Sequence, residues 1–180
     1  MMVEKKPGGF TYRVRSAEVP TSGLDLVVEA NEIERAAVAD RLKIEGLDRF
    51  RIVASVRPWR RHGLHVSGTL FATVVQRCVV TLEPVSNDIE EAFAGTFEPA
   101  AKVRRAAAGT EIAFDALETE EPPEPMIDGA ADIGALAVEC LALAIDPYPR
   151  KPGVDLKQEL PEDTDLSDVP GAFDILRKLK

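Results

Sequence analysis

Residues 50–74 of this 180-residue chain read FRIVASVRPWRRHGLHVSGTLFATV. Residues 50–57 and 64–74 each alternate apolar and polar side chains, and a polar segment with Pro58 and Gly63 lies between them. Because successive side chains of a strand point to opposite faces, this alternation gives each segment one face that can be buried. The stretch therefore predicts a long antiparallel hairpin, in which Gly68 marks a bulge or a close approach of two strands.

The next segment, residues 74–85, reads VVQRCVVTLEPV. Its β-branched residues predict a third strand over residues 78–82, which stops at the Leu-Glu-Pro sequence. A turn at residues 86–87 and a fourth strand over residues 89–97 extend the pattern to a meander. Val103 and residues 112–114 are candidates for an edge strand, and residues 10–15 and 24–28 predict two short strands near the beginning of the chain.

Two helices are predicted to pack on this sheet. Asn31 and Glu34 have the spacing of a capping box, and the helix that they open is predicted to end at Gly46. Its expected apolar stripe consists of Ile33, Ala37, Val38, Leu42 and Ile44. A second helix, over residues 131–146, begins at Asp132 and stops before the prolines that follow it. Its core-facing stripe consists of Ile133, Leu136, Ala137, Cys140, Leu141 and Ala144.

The length and the 45% hydrophobic content suit a single core of ordinary size. We expect an α+β domain over residues 1–152, with a mostly antiparallel sheet, two main helices and an acidic mobile loop at residues 115–128. Residues 153–180 are expected to form an acidic arm, which ends in a short amphipathic segment over residues 172–180. The chain lacks a long apolar run and a secretory signal, so a cytoplasmic protein with no membrane contact is expected.

The formal net charge of −9 is unevenly distributed along the sequence. Residues 115–128 hold six acidic residues and no basic one, whereas residues 153–180 hold seven acidic and four basic residues. The rest of the chain is therefore neutral overall. Acidity weakens a nucleic-acid role because phosphate binding needs lysine and arginine, yet a neutral body can carry a local arginine patch.

The hairpin tip is the sharpest candidate surface. Guanidinium groups bind phosphate in a bidentate manner, and an exposed indole can stack on an unpaired base. The alternative is a solvated turn whose tryptophan folds back onto the sheet. The candidate RNA-binding residues are Arg57, Trp59, Arg60 and Arg61 at the tip, with Arg77, Arg104 and Arg105 as an extension of the same patch.

No constellation of catalytic or metal-binding residues is evident. Cys78, Cys140, His62 and His65 do not have the spacing of a zinc site, so Cys78 is expected to be a buried structural thiol. The acids Glu111, Asp115 and Glu118 fall in a polar loop, where a carboxyl keeps its ordinary proton affinity. The sequence also lacks a phosphate-binding glycine loop. We therefore expect no enzyme activity, no cofactor and no small-molecule substrate.

Three blocks of the sequence resemble the YceD-like family, the large ribosomal RNA subunit accumulation proteins, and especially its alphaproteobacterial branch. The first block consists of the signature residues Gln76, Arg77, Cys78, Leu82, Glu83 and Pro84. The other two are residues 134–150, GALAVECLALAIDPYPR, and residues 171–180, GAFDILRKLK. Many relatives have Cys-x-x-Cys where this chain has Val75 and Cys78, so the metal-binding suggestion made for the family does not transfer here.

The resemblance implies a non-enzymatic factor that supports accumulation of large-subunit (23S) ribosomal RNA. Its expected partner is ribosomal RNA or a large-subunit ribosomal protein. The alternative function is a protein-interaction adaptor without nucleic-acid contact. Its partner-binding surface would be the apolar face of the C-terminal segment. That face consists of Phe173, Leu176 and Leu179.

Overall fold

The computed structural model describes residues 9–100 and 122–154. Its elements in chain order are β1 (Arg13–Arg15), β2 (Leu24–Glu29), α1 (Glu32–Leu42), β3 (Gly46–Trp59), β4 (Gly63–Arg77), β5 (Pro84–Pro99), β6 (Glu124–Met126), β7 (Ala130–Asp132) and α2 (Ile133–Ala144). Five strands form one sheet in the order β2-β3-β4-β5-β6, antiparallel except for the last pair. The α+β class is confirmed, and β1 with β7 forms a separate two-stranded ribbon.

The alternating stretch forms the long hairpin that its period predicts. β3 and β4 pair in antiparallel register from Gly46 opposite Val75 to Trp59 opposite Gly63. Gly68 sits at a close approach of the two strands, since a Cβ atom there would lie 2.4 Å from the carbonyl oxygen of Val53. The prediction of close packing at this glycine is confirmed.

The third strand predicted over residues 78–82 is wrong. β4 runs through the signature as far as Arg77, residues 78–83 form a loop, and Pro84 starts the next strand. The predicted turn at residues 86–87 therefore lies inside β5. The valines after Cys78 imitate a strand in the sequence, but their backbone turns, and Leu82 adopts a left-handed conformation with φ of 60°.

Both helices start where their caps predict. Asn31 and Glu34 make the reciprocal hydrogen bonds of a capping box, and the Asp132 side chain accepts a hydrogen bond from the N–H of Ala135. The first helix ends at Leu42 rather than near Gly46, because Lys43 takes a left-handed conformation with φ of 57°. The predicted stripe of α1 is wrong at Ile33, which is 82% exposed.

The core lies between the helices and one face of the sheet, here called the inner face. Phe50, Ile52 and Leu70 point to this face and are fully buried, and the Phe10 ring packs edge-on against Phe50 at 4.9 Å. The predicted stripe of α2 is confirmed, and Leu141 at its centre is fully buried in the same core. The opposite, outer face carries polar residues together with the apolar side chains of Val27, Val53 and Phe71.

Two further predictions concern the acidic segment before α2 and the end of the chain. Glu124–Met126 was predicted to be loop, yet it pairs in parallel with the end of β5. Its main-chain hydrogen bonds compensate for a sequence with acids and prolines. The candidate edge strand at Val103 and residues 112–114, the acidic segment 115–121 and the arm from residue 155 onward lie outside the described residues.

Candidate functional site

The arginines of the hairpin tip are tied to neighbouring elements. Arg60 places its guanidinium carbon 4.0 Å from the centre of the Trp59 ring, and its Nη1 lies 3.4 Å from a carboxylate oxygen of Glu98. Glu98 is buried, so Arg60 supplies the charge that this carboxylate needs. Arg57 donates to the carbonyl oxygen of Ser22 and lies 3.3 Å from Asp25.

The tip thus offers less free cationic surface than its sequence suggests. Trp59 is half-buried, and Arg60 covers one face of its ring. Arg61 and His62 are exposed, and neither forms an ion pair with a residue in the described ranges. A phosphate contact at the tip would therefore use Arg61 first.

Arg77 is far from the tip. It points to the same outer face as Arg57, but it lies at the other end of β4, about 40 Å away at the usual rise of a strand. Its guanidinium is paired with the carboxylate of Glu45. Arg77 cannot extend the tip patch, and Arg104 and Arg105 lie outside the described residues.

The outer face of the sheet has a shallow apolar groove between β2, β3 and β4. Its volume is about 340 Å³, and Val27 and Val53 form exposed parts of its lining. The remaining lining residues are Asp25, Leu26, Ala54, Ser55, Ser67 and Gly68. Small side chains at the centre of the sheet create the groove, and its walls bring few polar groups together.

The loop between β4 and β5 closes against the segment that follows α2. Gln76 donates a side-chain hydrogen bond to the carbonyl oxygen of Asp146 at 2.8 Å, and Val79 donates its N–H to that of Pro149 at 3.0 Å. Lys151 Nζ lies 2.6 Å from a carboxylate oxygen of Glu83. We call residues 76–84 and 146–151 together the signature corner, since they hold all six signature residues.

Cys78 lies at the centre of the signature corner. Its side chain is fully buried, and its Sγ accepts hydrogen bonds from the N–H groups of Thr81 and Lys151, both at 3.4 Å. The Thr81 hydroxyl, followed by these two N–H groups, lowers the pKa of the Cys78 thiol from 9.0 to about 6, against the effect of burial. The thiol is therefore buried as expected, and it also joins both halves of the corner.

The signature corner exposes an apolar surface that the sequence analysis missed. Leu82 and Tyr148 are 66% and 70% exposed, and Val79 is partly exposed. Leu82 keeps a left-handed backbone that is costly for a residue with a Cβ atom. Leu82 belongs to the signature, but local sequence could not predict the exposure of Tyr148. The segment that holds Tyr148 is positioned by contacts with residues that lie seventy positions away in the chain.

The described residues supply no cluster of three histidine, cysteine or acidic side chains that could hold a metal ion. Within the same ranges, no helix combines the length and apolar character needed to cross a bilayer. The signature corner exposes apolar and basic side chains, and such a surface suits binding of a partner. The remaining predicted partner-binding residues, Phe173, Leu176 and Leu179, are not among those described.

Comparison with known proteins gives one match. A family model described as "Large ribosomal RNA subunit accumulation protein YceD" matches residues 66–180, which is more than half of the chain and includes the signature corner. No curated protein and no solved structure matches the sequence.

Proposed function

The chain belongs to the YceD family of large ribosomal RNA subunit accumulation proteins, and we propose that it is a non-enzymatic assembly factor that binds the maturing large subunit. The observation that carries this proposal is the family match over residues 66–180. The family description links the chain to accumulation of large-subunit ribosomal RNA. Ribosomal RNA that is not assembled into particles is open to degradation, so a binding factor can raise its amount without catalysing a reaction.

We propose binding rather than catalysis on chemical grounds. The thiol with a lowered pKa, Cys78, is enclosed, and its hydrogen-bond donors are the backbone N–H groups of Thr81 and Lys151, in the two segments that it joins. A nucleophile needs access to its substrate and a base or oxyanion site beside it. The groove on the outer face is lined by apolar and small residues, which are typical of packing rather than of proton transfer.

The signature corner is the surface that we propose contacts the subunit. Val79, Leu82 and Tyr148 are exposed there, and groups of exposed apolar residues mark interaction sites. Arg150 adds positive charge beside Tyr148, which suits a partner that contains ribosomal RNA, whereas the charge of Lys151 is paired with Glu83. The competing function, a protein-interaction adaptor without nucleic-acid contact, is supported by the net charge of −9.

Deletion of the gene in its host tests the proposed function. We expect the ratio of large-subunit to small-subunit ribosomal RNA to fall and the wild-type gene to restore it. A deletion strain with a normal ratio would reject the ribosomal role and leave the adaptor.

The corner is tested in the same strain with Leu82→Asn and Tyr148→Ser together. Asparagine tolerates the left-handed backbone of Leu82, so the loop should keep its shape. Ile33→Ser is the control, since Ile33 is an exposed apolar residue, 82% accessible, that lies on α1. The corner variant should fail to restore the ratio, whereas the control should restore it. Full rescue by both variants would show that the signature corner is not needed for this function.

A further inference from the structure

Strand β5 leaves most of one edge without a neighbouring strand in the described part of the chain. On one side β4 pairs with it from Pro84 to Phe97, whereas on the other side β6 pairs with residues 97–99. The open edge, residues 84–96, therefore presents backbone N–H and C=O groups over about 40 Å. Such an edge is a template for a further strand, which is why natural edge strands are usually short or protected.

The open edge begins at the signature corner. Pro84 is the last residue of the signature and the first residue of β5. The exposed corner and the open edge are therefore consecutive in the chain, and a partner held at the corner can continue along the strand.

The side chains of the open edge select the charge of that partner. β5 has four acidic residues and no lysine or arginine. Asp88 and Glu90 point to the outer face of the sheet, Glu91 points to the inner face, and all three are exposed. A strand added along this edge would thus have carboxylates beside both of its faces.

These acids also disfavour pairing of the edge with a second copy of the chain. Two β5 strands side by side would bring Asp88, Glu90 and Glu91 close to the same residues of the other copy. Like charges on adjacent strands are destabilising, and such charges are a common protection against edge-to-edge association. The same charges attract a strand that carries lysine and arginine.

We propose that the open edge of β5 binds an extended segment rich in lysine and arginine from a ribosomal protein, by main-chain pairing as an added strand. This inference rests on the proposed function and names the chemistry of the partner. Main-chain hydrogen bonds would supply the affinity, and the carboxylates on both faces would supply the preference for a basic sequence. In this arrangement, the acidic chain contacts the large subunit through the basic proteins of that subunit.

A model peptide tests the pairing directly. The probe is a fluorescent peptide of alternating lysine and valine with about 12 residues, which matches the open edge. The matched probe has the same sequence with every second amide N-methylated, so that it keeps its charge but cannot pair along one edge. We expect the N-methylated peptide to bind at least about tenfold more weakly to the full chain. Equal affinity of both peptides, or no binding of either, would overturn the proposal.

Charge variants of β5 test whether its carboxylates give the preference for a basic peptide. Glu90→Lys with Glu91→Lys should weaken binding of the unmodified peptide by at least about tenfold. Glu18→Lys with Glu29→Lys changes the net charge equally at exposed positions, one before β2 and one on β2 at the opposite edge of the sheet. It should change the affinity by less than about threefold. Equal loss in both variants would show attraction by net charge alone.

Hydrogen exchange identifies the occupant of the edge. In the free chain, the edge-facing amides of residues 86–92 should exchange fast, and the basic peptide should slow them. Slow exchange without peptide would mean that another segment of the chain or a second copy already covers the edge. Protection of the same amides by oligouridine would assign the edge to RNA. Either result would overturn the proposal.

The deletion strain separates this inference from the proposed function. If the family role holds and the edge is used, Glu90→Lys with Glu91→Lys will not restore the ribosomal RNA ratio, whereas Glu18→Lys with Glu29→Lys will. Full rescue by the edge variant would reject the edge as the binding site and leave the ribosomal role intact. A normal ratio in the deletion strain would reject the role itself.

Discussion

Among single residues, Cys78 connects two parts of the sequence that lie far apart. Its sulfur accepts hydrogen bonds from Thr81, in the loop after β4, and from Lys151, beyond α2. The partner of a Cys-x-x-Cys pair is absent, as position 75 is valine. Hydrogen bonds to one buried sulfur therefore help to join the two halves of the corner, together with the contacts from Gln76, Val79 and Glu83.

We expect the thiol of Cys78 to titrate near pH 6. In a Cys140→Ala background, the ultraviolet absorbance of the thiolate should rise with a midpoint at about 6 instead of 9.0. Thr81→Val should move this midpoint upward, because the Thr81 hydroxyl makes the largest contribution to lowering the pKa. A midpoint near 9 in the parent would contradict the hydrogen-bonded geometry.

The same shift predicts a pH dependence of stability. The pKa of the thiol is lower in the folded chain than in the unfolded chain, so the stabilisation is complete above about pH 9 and is lost as the pH falls through about 6. The difference in melting temperature between the wild type and Cys78→Ala should therefore shrink from pH 9 to pH 6. A difference that grows toward acid would have the wrong sign.

Gly68 gives a steric test of the sheet. A Cβ atom there would lie 2.4 Å from the Val53 carbonyl oxygen, so Gly68→Ala must push β3 and β4 apart. We expect a loss of about 1 to 3 kcal/mol in the free energy of unfolding, as for other overpacked positions. Gly9→Ala is the control, because no atom lies within 4 Å of the Cβ position there. Equal denaturation midpoints for both variants would exclude the close contact between the two strands.

Among the elements, α2 shows how closely periodicity follows burial. Leu141 is fully buried, whereas Leu143 on the same helix is 88% exposed. Leu141→Ala should cost about 2 to 5 kcal/mol in the free energy of unfolding. Leu143→Ala should change it by less than about 0.5 kcal/mol. Chemical denaturation measures both, and similar values would show that α2 does not pack as described.

The hairpin tip is tested by two neighbouring arginines. Arg60→Ala removes the partner of the buried Glu98 and uncovers the Trp59 ring, so it should lower the free energy of unfolding by about 1 kcal/mol or more. Arg61→Ala should leave it within about 0.5 kcal/mol. If Arg60→Ala is as harmless as Arg61→Ala, the tip is a freely solvated turn.

The sequence predicted correctly those elements in which the periodic spacing of apolar side chains sets the buried face. The hairpin, the capping box of Asn31 and the stripe around Leu141 follow from local patterns. The strand over residues 78–82 was mispredicted because its valines favour a strand, whereas contacts with Pro149 and Lys151 bend the loop. The partners of Arg57 and Arg60 are also remote in sequence, so local chemistry overestimated the free charge at the tip.

At the scale of the whole molecule, an acidic chain with an exposed corner and an open strand edge in its described part belongs to a family that is linked to accumulation of large-subunit ribosomal RNA. A net charge of −9 makes a large, purely phosphate-binding surface unfavourable. Contact with a particle made of RNA and basic proteins requires no such surface. We therefore propose that this protein binds the assembling large subunit directly.

The most direct test is sedimentation of the tagged protein, expressed at its natural level, in gradients that separate ribosomal particles. The account predicts that the protein co-sediments with precursors of the large subunit and is depleted from mature and small subunits. It also predicts that the Leu82→Asn and Tyr148→Ser variant stays at the top of the gradient, whereas Ile33→Ser follows the wild type. Wild-type protein found entirely at the top, while precursors are present in the same gradient, would contradict the claim.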